Sequence, residues 1–237
     1  MDYKILDTYL EDINSLKKIE EEIVFSNKEN EENIETNKSL KILSGFECDY
    51  FSEYYNYYDE LRERCDYLIF GVHFLNLPSN KDFPIHHYPL DKKALGIYAD
   101  QYIKSIESNL FSIAVHPDLF FIKYNKWDEQ AKAISKAIIE AASYYDIALE
   151  INGNGIIKDK IEGFNGEMRH PYPVKEFWQL AKSYENLKIV ANADAHSPFN
   201  INKSIVECEK FAQDISLNYN SVNIDNIDKL HKIEFKK

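Results

Sequence analysis

Short apolar runs alternate with stretches of helical periodicity along most of this chain, and that alternation narrows the fold more than any other feature. Runs at residues 40–46, 67–72, 111–115, 147–151 and 187–191 read as strands. Between them, residues 94–109 and 127–144 repeat apolar side chains at helical spacing, Pro173 opens a helix through Phe177, Trp178 and Leu180, and residues 202–213 read as a further helix. Strands that alternate with helices are parallel strands joined by crossovers, so a parallel α/β sheet or barrel is expected, as one domain over residues 1–237. Ahead of this rhythm, Leu6, Tyr9, Leu10, Ile13, Leu16, Ile19 and Ile23 mark an amphipathic helix over residues 4–24. Residues 26–39 are almost wholly polar and are expected to form a mobile loop, since nothing in them offsets the entropy of ordering.

Composition removes several classes of function. A hydrophobic content of 44% over 237 residues is ample for a buried core. The net charge of -12 argues against a partner bound through a nucleic-acid backbone, which needs a basic face, so any phosphate recognition must be local. The 17 tyrosines are scattered through helices and loops and read as packing groups, not as a base-stacking platform. Cys48, Cys65 and Cys208 are odd in number and far apart, which fits neither a disulfide framework nor a zinc ribbon and points to a reducing cytoplasm. With no basic-then-apolar leader and no run near the roughly 18 apolar residues of a membrane span, a soluble cytoplasmic protein without membrane association is expected.

Each strand then leads into a side chain that can bind a metal. The run at 40–46 leads into Glu47, that at 67–72 into His73, that at 111–115 into His116, and Ile147-Ala-Leu149 into Glu150 and Asn152. Ile189-Val-Ala-Asn-Ala-Asp194-Ala-His196-Ser-Pro198 presents Asp194 and His196 two positions apart, so that both can point the same way. In a parallel barrel these ends share one face, and residues far apart in sequence converge there. Imidazole and carboxylate without thiolate suit zinc, manganese or iron, and a shared carboxylate can bridge two ions that polarise a phosphoryl oxygen and deliver hydroxide. Arg169, just ahead of the Pro173 helix, is placed to meet an anion at that helix start, with a surface ion pair as its alternative. His86 and His87 lie in a proline-bounded loop and read as surface histidines, although loops on that face can touch substrate.

Taken together, Gly45-Phe-Glu-Cys-Asp-Tyr50, Gly71-Val-His-Phe-Leu75, Val115-His-Pro-Asp118, Glu150-Ile-Asn-Gly-Asn-Gly155, Arg169-His-Pro-Tyr-Pro-Val-Lys-Glu-Phe-Trp178 and Ala193-Asp-Ala-His196 resemble the PHP (polymerase and histidinol phosphatase) family, in its histidinol-phosphatase branch. The resemblance runs in order over residues 40–200. It implies a distorted (β/α)7 TIM-like barrel that binds up to three divalent ions, hydrolyses phosphate monoesters and, in that branch, serves histidine biosynthesis with histidinol phosphate as the small phosphorylated substrate. By motif, Glu47 is similar to the carboxylate that bridges two metals, His73 and His116 to ligands of the second ion, Asp194 to a ligand of the first and His196 to a ligand of the third. Arg169 and Asn154 are similar to contacts with the phosphate or the rest of the substrate.

The family also begins with a strand ending in His-x-His, whereas here no histidine precedes His73. The first one or two β/α units are therefore expected to be absent, as in a truncated product, a split gene or a degenerate homologue. An N-terminally incomplete barrel of this kind is expected to hold fewer ions, to be impaired as a phosphatase and to self-associate or take the strands from a separate chain. The alternative is a non-catalytic remnant that binds a metal or a phosphometabolite.

Overall fold

The apolar runs pair side by side. In a computed structural model, which describes residues 3–28, 42–78, 80–227 and 233–236, the chain forms α1 (Tyr3–Lys28), β1 (Gly45–Asp49), α2 (Tyr55–Arg62), β2 (Tyr67–Gly71), β3 (Phe74–Leu77), β4 (Asn80–Pro84) and α3 (Lys92–Glu107). It continues through β5 (Ile113–Ala114), α4 (Glu129–Tyr144), β6 (Ala148–Asn152), α5 (Gly153–Ile157), β7 (Ile161–Glu162), β8 (Met168–Arg169) and α6 (Lys175–Ala181). Last come β9 (Ile189–Asn192), α7 (Ile201–Asp214), β10 (Ser221–Ile227) and β11 (Ile233–Lys236). Five strands form one sheet in the order β1-β2-β5-β6-β9, with every pairing parallel. The expected parallel α/β architecture is thus present. Among the described residues β1 and β9 are its edges, and pairings that would close it into a barrel are not among them.

The two faces of this sheet differ, and the difference places the chemistry. Side chains alternate along a strand, so Leu68 and Phe70 of β2, Leu149 and Ile151 of β6, and Ile189 of β9 join the large core with Tyr98, Tyr102, Phe177 and Trp178. Their neighbours Ile69, Ile113, Val115, Ala148 and Val190 form a second, small cluster on the other face. Glu47 is in register with Ile69, Glu150 with Val190, and Asn152 with Asn192. The polar residues therefore continue the small face toward the carboxyl ends of the strands, while the large face holds the fold together. Truncating a fully buried aromatic of the large face, such as Trp178, should cost about 3–5 kcal/mol.

Helix starts follow local chemistry. Asp91 and Asp128 cap α3 and α4 by accepting from Ala94 N at 2.8 Å and Ala131 N at 3.0 Å. Asn152 ends β6 and caps α5 by accepting from Gly155 N at 3.1 Å. At the β1 edge, α1 buries Leu6, packs Tyr9 against Phe46 with ring centroids 4.8 Å apart and donates the Tyr9 hydroxyl to Gly45 O at 3.1 Å. Lys17 with Asp66 and Asp7 with Arg64 complete that contact.

Several expected boundaries move. The first strand lies at Gly45–Asp49 instead of 40–46, which puts Glu47 inside it and Asp49 at its end. The apolar residues Ile42 and Leu43 carry no ladder, and the Phe46/Cys48 alternation decides the pairing. The stretch around Phe83, read as loop, contains the β3–β4 hairpin, whose short non-repeating strands give no period to detect. Helix α1 runs on to Lys28, and the rest of the polar loop expected at 26–39 lies outside the described residues. The helix expected from Pro173 starts at Lys175, with Val174 at its N-cap. The three cysteines are buried thiols, none in a disulfide. No described helix is long and apolar enough to cross a membrane.

Candidate metal centre

Glu47 lies in β1, His73 and His116 follow the ends of β2 and β5 in the same sheet, and each offers one ligand atom within 4.8 Å of the other two. His116 Nε2 lies 3.0 Å and His73 Nε2 3.4 Å from the same Glu47 oxygen, Oε1. Two nitrogens at those separations from one carboxylate oxygen match the roughly 3.3 Å edge of a tetrahedron with metal–ligand bonds of about 2 Å.

The orientation of His73 is set from behind. Its Nδ1 lies 3.0 Å from Asp49 Oδ2, and Asp49 Oδ1 accepts from the His73 main-chain N–H at 2.6 Å. A proton on Nδ1 leaves Nε2 as a lone pair aimed at Glu47, an arrangement that a cation between them turns from repulsive to favourable. His116 is only 3% exposed, and its Nδ1 is buried without a hydrogen-bond partner among the described residues. Its backbone is held at a φ of 33°, in the left-handed region, with its N–H donated to the buried Glu150 carboxylate at 3.0 Å. Gly71, at the end of β2, makes room for all three: a Cβ there would lie 2.5 Å from His116 Cε1 and 2.9 Å from both Glu47 Oε1 and His73 Cε1. Two imidazole nitrogens converging on one carboxylate oxygen, hard-and-borderline donors and a cradle only glycine leaves open fit a divalent ion.

Electrostatics agree. Burial alone would raise the Glu47 pKa, but its bond to His116 and the charges of His116, His73 and His196 hold it below the usual carboxylate value. Burial opposes the charged form of His116, yet Glu47, Glu150 and Asp194 raise its pKa. Glu150, 2% exposed, is pushed up chiefly by desolvation and is eased by His116 and by amides of Asn152 and Asn192.

The other expected site residues stand in different surroundings. Asp194, also left-handed with a φ of 44°, turns Oδ2 to the amides of Asn152 at 3.0 Å and Asn154 at 3.3 Å. His196 is 73% exposed, and its Nδ1 meets the main-chain oxygen of Asp194 at 3.0 Å. The Arg169 guanidinium bonds to the carbonyls of His170, Pro171 and Phe121 at 2.9 Å and to Asn125 Oδ1 at 3.1 Å, and it lies 4.7 Å from the Phe164 ring centroid. Binding an anion through its terminal nitrogens would require some of those bonds to open.

Four residues at or behind the site escaped the pattern of strand ends. Asp49 was visible beside Glu47, but only the shifted strand puts it behind His73. His86, expected at the surface, is half-buried with its ring 5.8 Å from that of His73. Burial, then the charges of His73, His116 and Lys158, lower its pKa to about 4. The buried Tyr172 ring lies 6.0 Å from the His116 ring, and the Tyr172 hydroxyl accepts a hydrogen bond from Lys158 Nζ at 3.0 Å. No spacing rule links residues 86, 158 and 172 to the strand ends.

The sequence matches no family model and no curated protein. In structure, the chain is similar to a histidinol phosphate phosphatase from Lactococcus lactis subsp. lactis complexed with zinc, L-histidinol and phosphate, with a TM-score of 0.62 and 15% identity over 97% of this chain and 79% of that one. It is also similar to a putative histidinol phosphatase from Listeria monocytogenes, with a TM-score of 0.59 and 20% identity over 86% of this chain and 75% of that one. At these identities the likeness is one of fold.

Proposed function

We propose that this chain is a metal-dependent phosphomonoester hydrolase whose substrate is histidinol phosphate. The observation that carries the reading is the convergence of His73 Nε2 and His116 Nε2 on one oxygen of Glu47, with Asp49 fixing the first imidazole. Fold likeness to a phosphatase complexed with zinc, L-histidinol and phosphate supports it. Glu47, His73 and His116 would hold a zinc, manganese or iron ion, which supplies Lewis-acid polarisation of the phosphoryl group and activation of water. Asp194, whose charge reaches His116, and His196, whose charge reaches Glu47, would take up a further ion only by leaving their present partners. Asn154, on Asp194, is positioned to orient substrate beside that carboxylate. Glu150 braces the His116 main chain and so keeps its ring on Glu47 as charge moves in the site. The acidic balance of the chain disfavours a nucleic-acid backbone, so recognition of a phosphorylated substrate would have to be local to the site.

The test is phosphate release from histidinol phosphate and from a generic aryl phosphate, with manganese or zinc added and with chelator. Metal-dependent turnover that prefers histidinol phosphate is expected, and none with either substrate would sink the reading. One feature favours the second reading, a metal- or phosphometabolite-binding protein without turnover: the amide-bonded Asp194 and the exposed His196 leave one three-ligand centre organised. Stoichiometric metal binding with no phosphate release would select it.

A further inference from the structure

A phosphate ester at this site would gain from a cation besides any metal, and the guanidinium of Arg169 is otherwise occupied. Arg169 has four acceptors for its terminal N–H groups, three of them main-chain carbonyls of the loops that it ties together. Lys158 is arranged in the opposite way. It is exposed, its Nζ donates to the Tyr172 hydroxyl at 3.0 Å, and among the described residues no carboxylate pairs with it. An ammonium has three donors, so two remain for a ligand.

Its position is built, not incidental. Tyr172 is 3% exposed, and its ring packs 6.0 Å from that of His116. Gly155 permits this, because a Cβ there would fall 2.3 Å from the Tyr172 ring. Lys158 Nζ also lies 5.3 Å from the centre of the Tyr172 ring, which anchors its end beside the His116 flank of the triad. On the other flank, the charge of Lys158 reaches His86, whose ring abuts His73. The ammonium is thus held on the His116 side of the triad, with one tyrosine ring between it and that imidazole.

We propose that Lys158, held by the buried hydroxyl of Tyr172, is the residue that binds the phosphoryl oxygens of the substrate at this centre, with Tyr172 as its positioning residue. This rests on the phosphomonoesterase reading given above. Lysine meets phosphate as a point charge, without the planar fork of arginine, so charge matters more than shape here.

The experiment uses the full chain loaded with manganese and follows orthophosphate binding by titration calorimetry, together with KM and kcat for a phosphomonoester. Lys158→Gln is expected to weaken orthophosphate about tenfold or more and to raise KM by a similar factor, with metal content and melting temperature unchanged. Lys158→Arg should restore most of the affinity, and Tyr172→Phe should lose a smaller part of it because the anchor is removed and the charge kept. Wild-type affinity in Lys158→Gln overturns the assignment while leaving the phosphatase reading intact. Loss of metal or a lowered melting temperature in that variant overturns it too, since the role would be structural. A wild-type protein that neither binds orthophosphate nor turns over an ester removes both readings together.

Discussion

The two ends of the parallel sheet carry the same kinds of side chain in different states of organisation. At the β1–β2–β5 end the donors are held from several sides: Asp49 bonds the His73 ring from behind, Glu150 holds the main chain of His116, and both imidazoles converge on Glu47. At the β6–β9 end, Asp194 is satisfied by two asparagine amides, and His196 folds back on its own loop with most of its surface in solvent. Ligand-type residues at strand ends are therefore not equivalent. What makes a centre is the set of partners that removes each donor's alternatives.

The sharpest way to break that contrast is to disturb one end at a time. Gly71→Ala pushes a methyl group against all three ligands of the first end, while the large core lies on the opposite face. It should abolish metal retention through dialysis and leave the far-ultraviolet dichroism unchanged, as Glu47→Gln should. Asp194→Asn and His196→Ala should keep the ion of the triad, read by elemental analysis. If His196→Ala lost as much metal as His116→Ala, the two ends would be one site and the contrast would be wrong.

A smaller effect isolates the partner behind the ligand. Asp49→Asn keeps the size of the side chain but weakens the acceptor that holds a proton on His73 Nδ1. Loss of such a partner commonly costs about 10–100-fold in metal affinity. Equal affinities of variant and wild type would show that His73 is oriented by packing alone.

Much of this arrangement could be read from the residues. The parallel sheet, five of the helices and the three residues of the triad follow from hydrophobic period and from the residue types at strand ends, because burial on one face leaves a regular trace. The hairpin around Phe83 and the approach of His86 to His73 leave none, since they depend on tertiary contacts between short irregular segments. Glu47 was placed after its strand because an acid breaks an apolar run. The strand includes it because its side chain is on the small face, where the site opens.

Asp118 offers a test of how the β5 end is braced. It is 1% exposed and accepts from Val174 N at 2.6 Å and Trp178 Nε1 at 3.1 Å, which ties the loop after His116 to the start of α6. Burial, offset in part by those bonds and by His116, pushes its carboxyl from 3.8 up to about 6. A folded pKa above the unfolded one means that stability from this group is full below pH 4 and falls as pH rises through about 6. Asp118→Asn keeps an acceptor and removes the charge, so its melting temperature should gain on wild type between pH 4 and pH 7. A constant difference across that range would show that the ionised carboxylate is not penalised.

The smallest expected effect compares the ends through cysteine. Burial pushes the Cys48 and Cys208 thiols up to about 12, so both should react slowly with iodoacetamide at neutral pH. Cys48 adjoins Glu47, whereas Cys208 packs behind β6 and β9 against Ile151 and Asn192 carbonyls. Removing metal should speed labelling of Cys48 more than that of Cys208. Equal acceleration would mean that the ion steadies the whole sheet and not one end.

The central claim is that one divalent ion is held by two imidazoles and a carboxylate at the β1–β2–β5 end. X-ray absorption at the zinc edge of the zinc-loaded protein counts imidazole ligands directly through their multiple scattering. The account predicts two imidazoles among nitrogen and oxygen neighbours at about 2.0–2.1 Å, a count unchanged in His196→Ala and reduced in His73→Ala. An oxygen-only shell in wild type, or a count that falls in His196→Ala and holds in His73→Ala, would contradict it.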